Sequence, residues 1–307
     1  MQVVKPRVVF MGSPEFASII LEDLATSHIC DVVAVFSQPD KPAGRKQVLT
    51  PCEVSLCAQK LNIPLHTPNR LRDTENVEIL RSLKPDFIVV AAYGQILSRE
   101  ILEIAPCINL HTSSLPRHRG AAALQSLLLA DEPYAVVSAM IMDEKLDTGD
   151  IIGQLYFKHP SEARFECLLR RLGFLAVNLL KDILVNFHSI KPLKQIDADS
   201  SYAKKISKED GLVSLENAKK IFLKYKAYYP WPGIYIDGGL KLKEIELIDE
   251  ISSGEPGKIV EVGSDFAIIE CLVGKLKILK VQPQSKNEMD MGSFIRGKRL
   301  NIGDNIF

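Results

Sequence analysis

The feature that most constrains the fold is a set of short, continuously apolar runs in the first third of the chain. These runs are RVVFMG, DVVAVFSQ, DFIVVAA and CINLH, and segments with helical patterning separate them. A run that is apolar at every position is typical of a strand covered on both faces. Strands of this kind that alternate with helices indicate a parallel sheet with crossover helices. We therefore predict an α/β domain with a mainly parallel sheet.

The first turn of this domain, MGSPEFA, argues against a dinucleotide site. It holds one glycine, Gly12, and lacks the spaced glycines that let a backbone approach a pyrophosphate. Pro14 suits the first turn of the following helix, and Ser13 is its expected N-cap.

The pattern changes in the second half of the chain. Residues 161–188 predict one long amphipathic helix that opens on Ser161, and the polar stretch after it reads as a linker. Alternating strands with Gly-Gly and Gly-Ser-Asp turns then predict a small antiparallel barrel or sandwich, of which a barrel of OB type is preferred. The predicted domains are 1–189 and 208–307, joined by a linker at 190–207. The single tryptophan, Trp231, is expected to anchor the second core.

Composition excludes several classes of protein. The 38 basic and 38 acidic side chains cancel, so no global field would draw the chain to nucleic acid or to anionic lipid. The first apolar run is too short for a membrane span and unlike a signal peptide, which predicts a cytoplasmic protein without a membrane partner. The six cysteines are scattered. Cys52 and Cys57 lack a second pair or a nearby histidine, so we expect free thiols and no metal site.

The residues most suited to chemistry are an amide and an imidazole in CINLH. Asn109 and His111 are two apart, which on a strand places both side chains on one face near its carboxyl end, where ligands bind in open α/β sheets. Both groups can stabilise a developing oxyanion. Asp147 lies in a turn between two apolar runs, AVVSAMIM and IIGQLYF, which as a hairpin would hold it at an end of the sheet. Taken alone, these residues also fit a buried core histidine beside a turn-forming asparagine, and an Asx turn.

The context of these residues resembles a known family. NLHTSSLPRHRGAAALQ, followed by MDEKLDTGDII, resembles the formyltransferases that use 10-formyltetrahydrofolate. VFSQPDKPAGRK, VVAAYGQIL and YYPWPG are similar in particular to the methionyl-tRNA formyltransferases, so the resemblance covers nearly the whole chain. It implies a Rossmann-like formyltransferase domain with a mainly parallel sheet, joined to a small C-terminal OB-like β-barrel.

The resemblance also implies roles for residues. Asn109, His111 and Asp147 would be the catalytic set, without a metal. The formyl donor would be 10-formyltetrahydrofolate, and its expected contacts are Ser113, Ser114, Leu115, Pro116, Tyr93 and Gly94. The chain departs from the family pattern at Thr112, Ser114 and His118, where the family has Ala or Gly, Leu, and Trp or Tyr.

The implied acceptor is initiator methionyl-tRNA, and two groups of basic residues are candidates to bind it. The loop DKPAGRKQ carries Lys41, Arg45 and Lys46, and it resembles the inserted loop that enters the acceptor end of the tRNA. Lys204 and Lys205 open a second basic stretch that would hold the tRNA backbone. Without the family, a solvated loop explains the first group about equally well, and the charged face of a solvated helix explains most of the second.

Two other functions stay open at this point. One is another enzyme that uses formyl-folate, acting on a small amine or on water. The other is a tRNA-binding protein without catalysis, although such a protein would be expected to have lost part of the catalytic set. No exposed heptad argues for assembly, so we expect a monomer.

Overall fold

The structure is a computed structural model that describes residues 5–44 and 47–306. The chain divides into two compact units. The first comprises residues 1–123, 133–159 and 167–203, and the second comprises residues 124–132, 160–166 and 204–307. The predicted domain limits at 189 and 208 stay a prediction.

The first unit contains one large sheet and a small hairpin. Its strands are β1 (Arg7–Gly12), β2 (Asp31–Phe36), β3 (Lys41–Ala43), β4 (Val48–Thr50), β5 (Leu65–His66), β6 (Phe87–Ala91), β7 (Cys107–His111), β8 (Tyr134–Ile141) and β9 (Ile151–Lys158). All but β3 and β4 join the sheet, in the order β5-β2-β1-β6-β7-β8-β9. Pairing is parallel from β5 to β7 and antiparallel from β7 to β9. The predicted mainly parallel sheet is confirmed, as are its four apolar strands.

The helices of the chain follow the apolar patterning. They are α1 (Glu15–Thr26), α2 (Glu53–Lys60), α3 (Thr74–Ser82), α4 (Arg99–Leu102), α5 (Ala123–Leu129), α6 (Phe165–Asn186), α7 (Ala218–Tyr228) and α8 (Met291–Lys298). In α1, for example, Phe16, Ile20 and Leu24 are buried at a spacing of four residues, which forms a single apolar stripe.

Two predicted helix starts are wrong. The N-cap of α1 is Pro14, because the Ser13 hydroxyl instead accepts the Gln38 backbone N–H at 3.3 Å. The long helix begins at Phe165, not at Ser161. The Ser161 carbonyl accepts a hydrogen bond from Lys226 Nζ at 2.6 Å, and Ala163 N–H donates to the Pro160 carbonyl at 3.1 Å, which forms a turn in place of the first helical turn.

The reversal of direction at β8 positions the site. Because β8 runs against β7, its last residue, Ile141, lies opposite Ile108 near the start of β7. The β8–β9 connection at residues 142–150, called the aspartate loop below, therefore begins at the amino end of β7. Met142 N–H donates to the Cys107 carbonyl at 2.8 Å there. To reach His111, the loop must return along β7 toward its carboxyl end.

The second unit contains an antiparallel sheet. Its strands are β10 (Ile234–Tyr235), β11 (Lys241–Ser253), β12 (Ile259–Val262), β13 (Ala267–Glu270), β14 (Val273–Gln282) and β15 (Met289–Asp290). Their order is β10-β11-β14-β13-β12, and β15 pairs with β14. Between residues 204 and 306 no ladder joins the end strands β10 and β12, so the closed OB-like barrel stays a prediction.

Several side chains of the chain differ from expectation in their exposure. Trp231 is 59% exposed, so the predicted core anchor is wrong. The buried residues of the second unit instead include aliphatic ones such as Leu242 and Ile278. Of the six cysteines, which are all free thiols, Cys167 is exposed and Cys52 is half-buried, while the other four are buried. No helix in the described ranges is long and apolar enough to cross a membrane.

Candidate functional site

Asn109, His111 and Asp147 come together beside the carboxyl half of β7. All five residues of this strand are buried, and the side chains of Asn109 and His111 lie on the same face. The Asn109 amide donates to Asp147 Oδ1 at 3.3 Å, and His111 Nδ1 lies 3.8 Å from Asp147 Oδ2. The imidazole and the carboxylate are each about 10% exposed, so an electrostatic interaction between them is poorly screened by water.

The Asp147 carboxylate is held by a backbone donor as well. Gly120 N–H donates to Asp147 Oδ2 at 2.7 Å. Gly120 has a φ of +109°, and a Cβ at this position would lie 2.7 Å from the Ala203 carbonyl oxygen, so the contact requires glycine. Asp147 itself has a φ of +54°, a region in which Asp and Asn are enriched.

The aspartate loop also packs closely on itself. A Cβ on Gly149 would collide with the Ile141 carbonyl oxygen, so the loop can return toward β7 only with glycine at this position. Thr148 Oγ1 donates to Asp143 Oδ1 at 2.7 Å and closes the turn.

The hydrogen bonds of His111 determine which nitrogen carries its proton. His111 Nε2 lies 3.0 Å from the His118 carbonyl oxygen. A carbonyl can only accept, so Nε2 carries a hydrogen, and Nδ1 has a free lone pair when the ring is neutral. His118, one of the departures from the family pattern, presents this carbonyl from a backbone with a φ of +56°.

The residues expected to contact folate belong to two loops of the first unit. In the loop after β7, Ser113 and Leu115 are buried, while Ser114 and Pro116 are half-buried. Ser138, on β8, organises this loop because its hydroxyl donates to the Ser113 carbonyl at 2.5 Å and accepts the Leu115 N–H at 3.3 Å. Ser114 and Pro116 are therefore the residues of this loop whose side chains keep exposed surface that a ligand could contact.

The second loop, after β6, contains Tyr93 and Gly94. The Tyr93 side chain is 2% exposed, and burial raises the pKa of its phenol well above the usual value. Its carbonyl accepts from Gln38 Nε2 at 3.1 Å. Gly94 is exposed and has a φ of +80°. Tyr93 thus shapes the loop from inside, and Gly94 presents backbone at the surface.

The basic residues expected to bind tRNA are exposed where they are described. Lys41 begins the β3–β4 hairpin, while Arg45 and Lys46 lie outside the described residues. In the second unit, Lys204 forms an ion pair with Asp210 at 3.6 Å, and Lys205 is exposed.

Three residues around the aspartate loop were not predicted as functional. Gln195 donates to two carbonyls of the loop, Arg119 is buried against Gln195, and Ser138 organises the loop after β7. Gln195 falls in the polar stretch that reads as a linker, so its sequence context gives no signal. Arg119 is the second arginine of RHRG. The two arginines close before a glycine are the only signal in the sequence that could have pointed to it.

Comparison with known proteins places these features in a family. Residues 6–184 match the formyl transferase family, and residues 205–299 match the formyl transferase C-terminal domain. A methionyl-tRNA formyltransferase of Sulfurimonas denitrificans is 48% identical over 98% of this chain and 99% of its own. One from Nitratiruptor sp. is 46% identical over 98% of this chain and 100% of its own.

A solved structure agrees in fold. HypX from Aquifex aeolicus, in complex with tetrahydrofolic acid, superposes with a TM-score of 0.67 at 17% identity, over 98% of this chain and 48% of HypX. The family matches and the close relatives together show that the chain is a member of the formyltransferase family, and within it of the methionyl-tRNA formyltransferases.

Proposed function

We propose that the protein transfers the formyl group of 10-formyltetrahydrofolate to the α-amino group of methionyl initiator tRNA, for translation initiation. The observation that carries this proposal is the grouping of an amide, an imidazole and a carboxylate beside β7 in a chain 48% identical to a methionyl-tRNA formyltransferase. The tetrahydrofolate bound to HypX supports a folate donor.

The nucleophile is the neutral amine of the methionyl group. Free α-amino groups titrate near about 7.7 to 8.0, so a useful fraction is uncharged at neutral pH. The nitrogen of the methionyl amine attacks the formyl carbon and forms a tetrahedral intermediate with a negative oxygen. The bond between that carbon and N10 of the folate then breaks, and N10 takes up a proton.

Asn109 would donate a hydrogen bond to the oxyanion, and His111, once it has taken up a proton, would stabilise the oxyanion by its positive charge. One N–H of the Asn109 amide faces Asp147, which leaves the other to donate to the substrate. Loss of one such donor costs roughly 2.7 to 4 kcal/mol of transition-state stabilisation in a typical oxyanion site.

The proton lost by the amine has an acceptor in the same site. In the neutral ring the lone pair of His111 Nδ1 faces Asp147 Oδ2 across 3.8 Å, so a proton taken up at Nδ1 forms an imidazolium beside a carboxylate. Asp147 thereby stabilises the charge that appears during the reaction, and can itself accept the proton through a water. These roles require no metal.

The remaining assignments extend the proposal to substrate binding. Ser113, Ser114, Leu115 and Pro116, with Tyr93 and Gly94, would form the folate side of the site. Lys41, Arg45 and Lys46 would enter the acceptor end of the tRNA. Lys204 and Lys205, at the start of an OB-like C-terminal domain, would follow its backbone. Such phosphate contacts are salt-sensitive and largely blind to sequence.

We further propose that the enzyme acts in the cytoplasm as a monomer. Cell fractionation tests the first assignment, and sedimentation with and without tRNA tests the second.

The function is tested with three reactions run side by side. The protein is incubated with 10-formyltetrahydrofolate and methionine-charged initiator tRNA, charged elongator tRNA, or no tRNA. Formylation confined to the initiator tRNA is expected. Folate hydrolysis without formylation would identify a hydrolase, and binding without turnover would identify a non-catalytic tRNA-binding protein; either result would refute the proposal.

A further inference from the structure

We propose that Gln195 is a positioning residue for Asp147, acting through the backbone of the aspartate loop, and that Arg119 orients Gln195. The proposal rests on the proposed function, since it extends the same site. It assigns a role to the segment 193–203, called the strap below, which has the sequence character of a linker.

The side-chain amide of Gln195 joins two carbonyls of the loop. Gln195 Nε2 donates to the carbonyl of Asp147 at 3.0 Å and to that of Gly149 at 2.7 Å. Both hydrogens of the amide are therefore used on backbone groups that flank Thr148. This arrangement fixes two peptide planes, the one between Asp147 and Thr148 and the one between Gly149 and Asp150.

Arg119 determines which way the Gln195 amide points. Arg119 Nε donates to Gln195 Oε1 at 3.0 Å, so the oxygen faces the guanidinium and the NH₂ group must face the loop. The Arg119 side chain is 2% exposed, and its Nη2 donates to Asp197 Oδ1 at 2.9 Å on the strap. A buried guanidinium with two partners in a fixed fork has little freedom to move.

The strap is anchored at both of its ends. At one end, Leu193 exchanges two backbone hydrogen bonds of 2.8 Å with Ile151, the first residue of β9. At the other, Arg119 N–H donates to the Ser201 carbonyl at 2.8 Å, and Ala203 N–H donates to the Arg119 carbonyl at 2.7 Å. Gln195 is therefore carried by a segment attached to both walls of the site, the β8–β9 hairpin and the loop after β7.

Positioning matters here because Asp147 has contacts of unequal quality. Its Gly120 contact is short, at 2.7 Å, but the distance to His111 Nδ1 is 3.8 Å, beyond hydrogen-bond distance, so no direct bond to the imidazole holds the carboxylate in place. The positive φ of Asp147 requires the surrounding structure to hold it. Release of the two carbonyls would let the loop relax and move the carboxylate away from the imidazole.

The experiment compares two substitutions at Gln195 with a neighbouring control. Gln195→Ala removes both donors. Gln195→Glu keeps the size of the side chain and the oxygen that faces Arg119, but it has no hydrogen for the two carbonyls. Ile196→Ala is the control, because Ile196 lies next to Gln195 and is 64% exposed. We expect both Gln195 variants to lower kcat by up to about a hundredfold, with both KM values nearly unchanged. The control should match the unmodified protein.

Two readouts separate positioning from a general structural role. In the Asp147→Asn background, Gln195→Ala should have little further effect on kcat, because its action passes through the lost carboxylate. Independently of activity, amide hydrogen exchange across residues 143–152 should be faster in Gln195→Ala than in Ile196→Ala.

The outcomes are distinguishable. Unchanged kcat in Gln195→Ala, a Glu variant with full activity, or full additivity with Asp147→Asn would overturn the positioning role. If Asp147→Asn is too slow to measure, unchanged exchange in Gln195→Ala overturns it. If the unmodified protein formylates no tRNA, the proposed function fails, and the exchange comparison alone decides whether the strap clamps the loop.

Discussion

Replacement of Asp147 by Asn tests the electrostatic core of the proposed mechanism. The change is nearly isosteric, and the φ of +54° at this position suits Asn, so the backbone need not move. What changes is the charge and the hydrogen bonding. Oδ1 and Oδ2 of Asp147 both accept N–H groups, from Asn109 and from Gly120. An asparagine has one oxygen, so in either orientation its NH₂ group faces a donor.

The expected magnitude follows from the distance to His111. At an effective dielectric constant of about 20, opposite unit charges separated by the observed 3.8 Å attract by about 4 kcal/mol. Both side chains are about 10% exposed, so this attraction is only weakly reduced by solvent. Loss of 4 kcal/mol from the transition state corresponds to about a thousandfold lower kcat.

The assay is single-turnover formylation of methionine-charged initiator tRNA at saturating folate donor. Asp150→Asn is the matched control, because it removes the same charge three residues along the aspartate loop. Circular dichroism and thermal unfolding of all three proteins establish that the fold is retained. If Asp147→Asn were as active as Asp150→Asn, the reasoning from the carboxylate to the imidazolium would be refuted.

Three further predictions concern stability, thiol chemistry and tRNA binding. Ser138→Ala should lower the free energy of unfolding in urea by about 2 kcal/mol, because the Ser113 carbonyl and the buried Leu115 N–H lose this partner; an unchanged midpoint would contradict this. At pH 8, a thiol reagent such as dithionitrobenzoate should label exposed Cys167 in the native protein but Cys107 only after unfolding. The reason is that burial raises the pKa of Cys107 to about 12 and keeps it a neutral thiol. Mass spectrometry identifies the labelled residue, and labelling of Cys107 before unfolding would refute the prediction. Lys41→Ala should raise KM for tRNA without changing kcat and should reduce the salt slope of binding by about 0.7 to 0.9, whereas Lys41→Arg should retain the slope.

The sequence was informative wherever a single segment determines its own structure. Five consecutive buried residues form β7, and a continuously apolar run predicts such a strand without knowledge of its neighbours. The spacing of Asn109 and His111 likewise predicts a shared face from strand geometry alone. The antiparallel pairing of the two runs around Asp147 also followed, because a short turn can only join neighbouring strands in that direction.

Features that depend on distant contacts were missed. The start of α6 is shifted to Phe165 because Lys226, far along the chain, binds the Ser161 carbonyl. The return of the aspartate loop along β7 depends on β8 pairing with β7, which no local pattern reveals. Gln195 is a polar residue among polar residues, and only its partners distinguish it from solvent-exposed neighbours.

The anchoring of the strap has a consequence for how such chains can be recombined. A fusion that joins the first unit to a different C-terminal module after residue 189 would discard Gln195 and the Ala203 carbonyl that crowds Gly120. A junction after Ala203 would keep both. The permissible point of exchange between modules is therefore set by the last hydrogen bond that returns to the loop after β7, at Ala203, 17 residues beyond the end of the preceding helix at Asn186.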